Sequence, residues 1–358
     1  MTNQGSDALS PEVLPREPEN ASESAEVGLG PLNLSLRRPS IGSVGAALER
    51  FGLVFVLLVT ILVFGLVEPS TFLTIANLRS ILSSQSVLAV LAIAALIPLV
   101  VGQFDLSIAA ILGICSLAGA ALMSEGGVPL VVAALGALGL GAFIGLINGV
   151  LVARVGVNSI ITTLGTASVI AGGALWYTGG TTISTGISHG LISFGATWWL
   201  GIPKIFYVLV LVALAIGYLL RMTPFGRSLF ATGTNSRAAT LVGLRVPRLT
   251  VGAFVLAGLV AGVGGMMEVA VSGSAAPGFG PGLLLPALSA VFLGATSIRP
   301  GEYNVIGTLL AIAFLATSLS GLTLAGAPAW VEPTYDGVAL IVAVALSTVI
   351  RRRRAGSS

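Results

Sequence analysis

The chain has 358 residues, of which 55% are hydrophobic and 9% charged, with a formal net charge of +3. Soluble domains average about 25% charged residues, and a mean hydropathy of +1.01 leaves more apolar surface than a water-soluble core can hide. A soluble globular domain is thereby excluded, and so is a disulfide scaffold, because Cys115 is the single cysteine.

Residues 1–46 differ from everything that follows. They are rich in Ser, Pro, Asn and Glu, and six acids (Asp7, Glu12, Glu17, Glu19, Glu23 and Glu26) face one early base, Arg16. Such a composition buries too little apolar surface to fold, so a disordered cytoplasmic tail is expected. The tail has no apolar core of the kind a secretory signal needs.

Apolar stretches then follow at 49–68, 82–102, 106–123, 128–152, 159–177, 205–220, 249–271, 283–298, 304–324 and 337–350. A spanning helix needs about 20 mostly apolar residues. The expected fold is an all-α polytopic membrane protein of about ten transmembrane helices over residues 47–350. Several stretches are short or interrupted by glycine, and a re-entrant course stays open for the fifth and eighth. A basic tail, 351–358, closes the chain.

Charge tests this count. With ten spans and both termini in the cytoplasm, the inside receives Arg16, Arg37, Arg38, Arg50, Arg154, Arg221, Arg227, Arg237, Arg245, Arg248, Arg299 and Arg351 to Arg354. The outside receives only Arg79 and Lys204. This is a strong instance of the positive-inside bias, and an odd number of spans would break it. Trp198 and Trp199, beside the sixth span, suit an outer interface anchor. In the fourth span Ala133, Ala137, Gly141, Gly145 and Gly149 recur every four residues and so share one helical face. Gly258 and Gly262 repeat the spacing in the seventh, and tight helix–helix packing is expected at both.

Chemistry is sparse. A phosphate-binding loop needs Gly-x4-Gly-Lys-Ser/Thr, and the only lysine, Lys204, stands outside any such pattern. No nucleophile–base constellation or metal-ligand cluster appears, and His189 lacks companion ligands. No catalytic residue, metal or bound cofactor is expected on this chain, and no nucleic-acid partner. If ATP drives transport, another chain hydrolyses it. The membrane-embedded acids are Asp105 and Glu268, both near span ends, which weighs against an ion-coupled secondary transporter.

The loop 221–248 is the most informative segment. Pro224 and Gly226 interrupt the sixth span. Asn235 or Ser236 can cap a helix starting near Arg237, Gly243 can end it, and Pro247 lies just beyond. The resulting short cytoplasmic helix carries Ala238, Ala239, Leu241 and Val242, which can bury only against a partner protein or the membrane surface.

That loop resembles the permeases of ATP-binding-cassette importers for ribose, xylose, galactose and related simple sugars. The matching residues are Thr223-Pro-Phe-Gly-Arg227, Gly233-Thr-Asn-Ser-Arg-Ala-Ala239 and Gly243-Leu-Arg-Val246. Asn77-Leu-Arg-Ser-Ile-Leu82, Asp105-Leu-Ser-Ile108, Asn148-Gly-Val-Leu-Val152, Ile161-Thr-Thr-Leu-Gly-Thr166, Gly294-Ala-Thr-Ser297 and Gly307-Thr308 agree in the same order. The resemblance covers roughly residues 45–354. Departures fall at Gln103-Phe104, Asn158-Ser159 and Arg299-Pro-Gly-Glu-Tyr303, and they bear on the solute more than on the fold.

The resemblance implies a cytoplasmic ATPase subunit holding ATP and Mg, a second permease subunit (the same chain or a paralogue), an extracytoplasmic solute-binding protein, and a location in the bacterial plasma membrane. It implies that Thr223, Phe225, Gly226, Arg227, Gly233, Asn235, Ala238, Ala239 and Gly243 couple the permease to the ATPase. Polar groups at span ends, Asp105, Ser107, Asn148, Asn158, Thr162 and Thr163, are the candidates for the translocation path, with helix capping as the competing role for Asp105. Branched-chain amino acid permeases, which share the broad architecture, are the alternative.

Overall fold

The computed structural model describes residues 43–355, with side chains for 50–350. The tail expected at 1–46 falls outside the described residues up to 42, and 43–46 already belong to the first helix. Among the described residues there are thirteen α-helices: α1 (Ser43–Val67), α2 (Ile75–Val100), α3 (Ile108–Ser124), α4 (Leu130–Val150), α5 (Ser159–Thr178), α6 (His189–Ala196), α7 (Lys204–Met222), α8 (Pro224–Thr234), α9 (Ser236–Leu241), α10 (Val246–Ser272), α11 (Leu284–Gly294), α12 (Val305–Leu324) and α13 (Val331–Ala355). A π-helical turn, Leu151–Val155, extends α4, and a 3-10 turn, Gly280–Leu283, leads into α11. Two-residue strands β1 (Trp198–Trp199) and β2 (Ile202–Pro203) form an antiparallel hairpin ahead of α7.

Among the described residues, eight helices are long and apolar enough to cross a membrane. The other two expected spans, α3 at 17 residues and α11 at 11, are shorter. A re-entrant course stayed open for the fifth and eighth stretches. The fifth, α5, has 20 residues and clears the required length, so the third joins the eighth as a short element instead. Tertiary contacts show that both short elements still traverse the bundle. Before α3, Gly102 approaches Gly233; after α3, Ser124 packs against Gly186. Before α11, Ala275 pairs with Ile183 through two backbone hydrogen bonds; after α11, the Ile298 N–H donates to the Arg50 carbonyl at 3.0 Å. The two ends of each element thus meet opposite ends of the bundle. At a rise of about 1.5 Å per residue, 17 residues reach about 25 Å, enough for an element whose ends are covered by protein.

The core is built on α2 and α10, which are buried over most of their lengths, while α1, α5, α7 and α13 turn apolar faces outward. No hydrophobic drive favours helix association in lipid, so close backbone approach has to supply the packing. The small-residue faces do this. A Cβ at Gly145 would collide with the Phe254 carbonyl, and Gly141 and Gly258 face each other's carbonyls just as closely. At Gly149 a Cβ would lie 2.8 Å from Val251 Cα. The spacing read from the sequence therefore marks the α4–α10 seam.

Candidate translocation path and coupling surface

The break between α2 and α3 gathers most of the polar candidates. Residues 101–107 leave the helix after Pro98, and Gly102 turns the chain at φ 78°. The segment is largely buried, so its amides need partners from outside regular structure. The Phe104 N–H donates to Ser159 Oγ at 3.3 Å and the Leu106 N–H to Thr163 Oγ1 at 3.1 Å. The Ser107 N–H donates to Asp105 Oδ1 at 3.0 Å, and so does the Ser107 hydroxyl. Asp105 thereby holds Ser107, the residue that precedes α3, while no side chain caps the helix itself, so the capping role considered for it does not appear. Its Oδ2 is buried with no hydrogen-bond partner among the described residues.

Asn148, on α4, ties this loop to α5. Its Nδ2 donates to Ser107 Oγ at 2.9 Å and its Oδ1 accepts from Thr166 Oγ1 at 2.6 Å. Asp105, Ser107, Asn148 and Thr163 are thus brought into one buried cluster. Thr162 packs beside it and donates back to the Asn158 carbonyl at 3.0 Å. Asn158 is the exception: it is exposed, and its Oδ1 accepts the Ile160 N–H at 2.9 Å as the N-cap of α5. Thr166 was missed by sequence reasoning. Its signal was the four-residue spacing from Thr162, which puts both on one helical face.

A cavity of about 520 Å³ lies against this cluster. Phe104, Leu106, Ile160, Phe292 and Val344 line it, and none of the six path candidates does. Phe104 and Leu106 flank Asp105 in sequence, and their amides are the ones that Ser159 and Thr163 hold. The polar cluster therefore positions the cavity wall rather than forming it. Phe292 adds a second ring, 6.2 Å from Phe104 between centroids.

The loop 221–248 folds as a capped helix pair. Thr223 Oγ1 accepts the Gly226 N–H at 3.2 Å, and Pro224 opens α8, where its missing N–H costs nothing. Asn235 Oδ1 accepts the Ala238 N–H at 3.0 Å, which makes it the cap of α9, as the sequence indicated. Gly243, at φ 85°, ends the unit. The separate helix α8 was not foreseen; its apolar stripe is short, and its start is set by Thr223 and Pro224.

The nine coupling candidates divide by what they pack against. A Cβ at Gly226 would strike the carbonyls of Leu219 and Leu220, and one at Gly233 would strike the Val100 carbonyl. Ala239 is buried, and the Phe225 ring would lie 3.2 Å from a Cβ on Gly252 of α10. These four fasten the loop to the bundle. Thr223 and Asn235 cap, and Arg227 and Ala238 face solvent. The most exposed apolar side chains of the loop are Leu241 and Val242, 88% and 77% accessible. Neither was among the coupling candidates, although the sequence had marked both as apolar groups lacking a place to bury.

A sequence family described as the permease component of branched-chain amino acid transport systems matches residues 77–347. The chain belongs to this permease family. It is 35% identical over 295 residues to the ribose import permease protein RbsC of Escherichia coli K12, covering 80% of this chain and 90% of the relative. It is 30% identical over 338 residues to the L-arabinose ABC transporter permease protein AraH of Azospirillum brasilense, covering 94% and 97%. The autoinducer 2 import system permease protein LsrC of Salmonella paratyphi B is 34% identical over 284 residues, covering 79% and 82%. No solved structure matches the chain. As a permease subunit it has no ATPase site of its own, and it is a multi-pass protein of the bacterial plasma membrane.

Proposed function

We propose that this permease carries a small sugar or sugar-like solute inward, driven by ATP and Mg²⁺ bound on a separate ATPase subunit. The observation that carries the reading is similarity over most of both chains to permeases named for ribose, L-arabinose and autoinducer 2. Those names favour a polar, sugar-like solute over a branched-chain amino acid, which the wider family description would also accommodate.

The geometry supplies a route for coupling. The exposed tip of α9, Leu241 and Val242, docks on the ATPase. Gly226 and Gly233 seat the α8–α9 pair without intervening side chains, so it moves with α7 and with the end of α2. Gly233 rests on the Val100 carbonyl, a few residues from the segment carrying Phe104 and Leu106. An ATPase that binds two arrangements of the loop with different affinity therefore shifts the cavity wall between two positions. A second permease subunit completes the path, and an extracytoplasmic binding protein delivers the solute.

The test is uptake by the chain co-purified with its ATPase and reconstituted in vesicles with its solute-binding protein. Labelled pentose is expected to enter when ATP is supplied, to be undiminished by leucine, and to persist after the proton gradient is collapsed. Uptake that follows the gradient and ignores ATP, or that leucine abolishes, overturns the reading.

A further inference from the structure

The arginine-rich end of the bundle carries a second crevice, of about 620 Å³, between α7 and α12. Its walls are apolar. Leu214 and Gly217 face Ile306 and Leu309 across it, and Leu214 and Ile306 are 67% and 57% accessible, so the crevice opens sideways rather than toward the core. Along α7 it runs from Ala213 to Met222, about 13 Å of helix.

The floor is basic. Arg221, Arg227 and Arg299 line the cytoplasmic rim. Arg299 approaches Glu302 at 3.8 Å, and among the described residues neither Arg221 nor Arg227 is in salt-bridge contact with a carboxylate. The lining therefore keeps a net positive charge at the depth where the inner leaflet presents its headgroups. A basic pocket between spanning helices on the cytoplasmic side has the chemistry of an anionic headgroup site.

We infer that this crevice binds one anionic phospholipid of the inner leaflet, its phosphate held by Arg221, Arg227 and Arg299 and an acyl chain lying along Leu214, Gly217 and Leu309. Charge selects the occupant. A zwitterionic lipid fills the apolar walls equally well but brings no net charge to the arginines. Leu241 and Val242 are not among the residues that line the crevice, and a lipid there stabilises one packing of α7 against α12.

The test is quantitative lipid analysis of the full chain, purified in mild detergent from membranes containing phosphatidylglycerol and phosphatidylethanolamine. The wild type is expected to retain phosphatidylglycerol well above its bulk proportion. Each arginine at an anionic surface is worth roughly fivefold in affinity, so Arg221→Gln with Arg299→Gln is expected to lower the affinity for phosphatidylglycerol by roughly 25-fold and to remove its enrichment. Gly217→Phe is the second variant. A Cβ there meets nothing within 4 Å, so the side chain starts into open space and leaves the charge unchanged, and retention is expected to fall again. Thermal unfolding of both variants checks that the bundle is intact. Retention in the bulk membrane ratio by the wild type, or unchanged enrichment in both folded variants, overturns the inference. So does shielding of a cysteine at Gly217 by a co-purified protein subunit instead of lipid.

Discussion

Asn148 holds two hydroxyls at once, Ser107 through its Nδ2 and Thr166 through its Oδ1. Removing it loses both of these bonds, while Ser107 keeps Asp105 Oδ1 and Thr166 keeps the Thr162 carbonyl. Asn148→Leu is therefore expected to cost about 1–3 kcal/mol, read as a lower unfolding midpoint in detergent. Asp105 behaves differently, because only Oδ1 is used and Oδ2 is buried without a partner. Asp105→Asn keeps the acceptor for the Ser107 amide and is expected to fold at least as stably as the wild type. Asp105→Leu loses that acceptor and is expected to melt lower. If Asn and Leu at this position behave alike, the bond from the Ser107 amide to Asp105 contributes nothing to the fold. The residue types in this cluster were legible in the sequence, since Asp, Ser, Asn and Thr stood out in apolar surroundings. Their partnership was not, because Ser107 and Asn148 are 41 positions apart and no local pattern records which span ends converge.

At the scale of elements, the α4–α10 seam and the α8–α9 pair make different demands on small residues. Gly145 and Gly258 let two backbones touch, and Gly145→Leu is expected to force the helices apart. Overpacking of this kind costs typically 1–3 kcal/mol, and the readout is loss of the monodisperse folded fraction after solubilisation. On the loop, Leu241 and Val242 touch little of their own chain. Leu241→Asp with Val242→Asp is expected to change unfolding by less than about 0.5 kcal/mol while abolishing stimulation of the ATPase and solute uptake. Normal uptake by that variant would remove α9 as the docking element. Gly226 is a poorer probe of docking, because a side chain there meets the Leu219 and Leu220 carbonyls and breaks the loop itself. The sequence signalled both elements, by four-residue spacing in one and by Asn235 and Gly243 as start and stop in the other. Close backbone approach decided which glycines pack, and exposure which apolar residues reach outward.

For the whole molecule, the ten-crossing arrangement puts the hairpin tip at Leu200 outside and the α9 tip at Leu241 inside. Both are strongly exposed, at 80% and 88%, and the native thiol, Cys115, is buried. A cysteine at Leu200 is expected to react with a membrane-impermeant maleimide in intact cells, and one at Leu241 only after permeabilisation. The reverse pattern would invert the topology. The sequence by itself determined the membrane character and set the expected even number of crossings and orientation, because apolar run length and arginine bias are properties of each segment alone. It also carried the family, through short blocks whose order survives divergence. Only the tertiary structure decided that α3, rather than α5, joins α11 as a short crossing. It also decided that the polar cluster stands behind Phe104 and Leu106 instead of lining the cavity, and that Leu241 and Val242 form the free tip of the loop. These outcomes depend on which distant segments cover one another, and hydropathy, computed along the chain, holds no information about that.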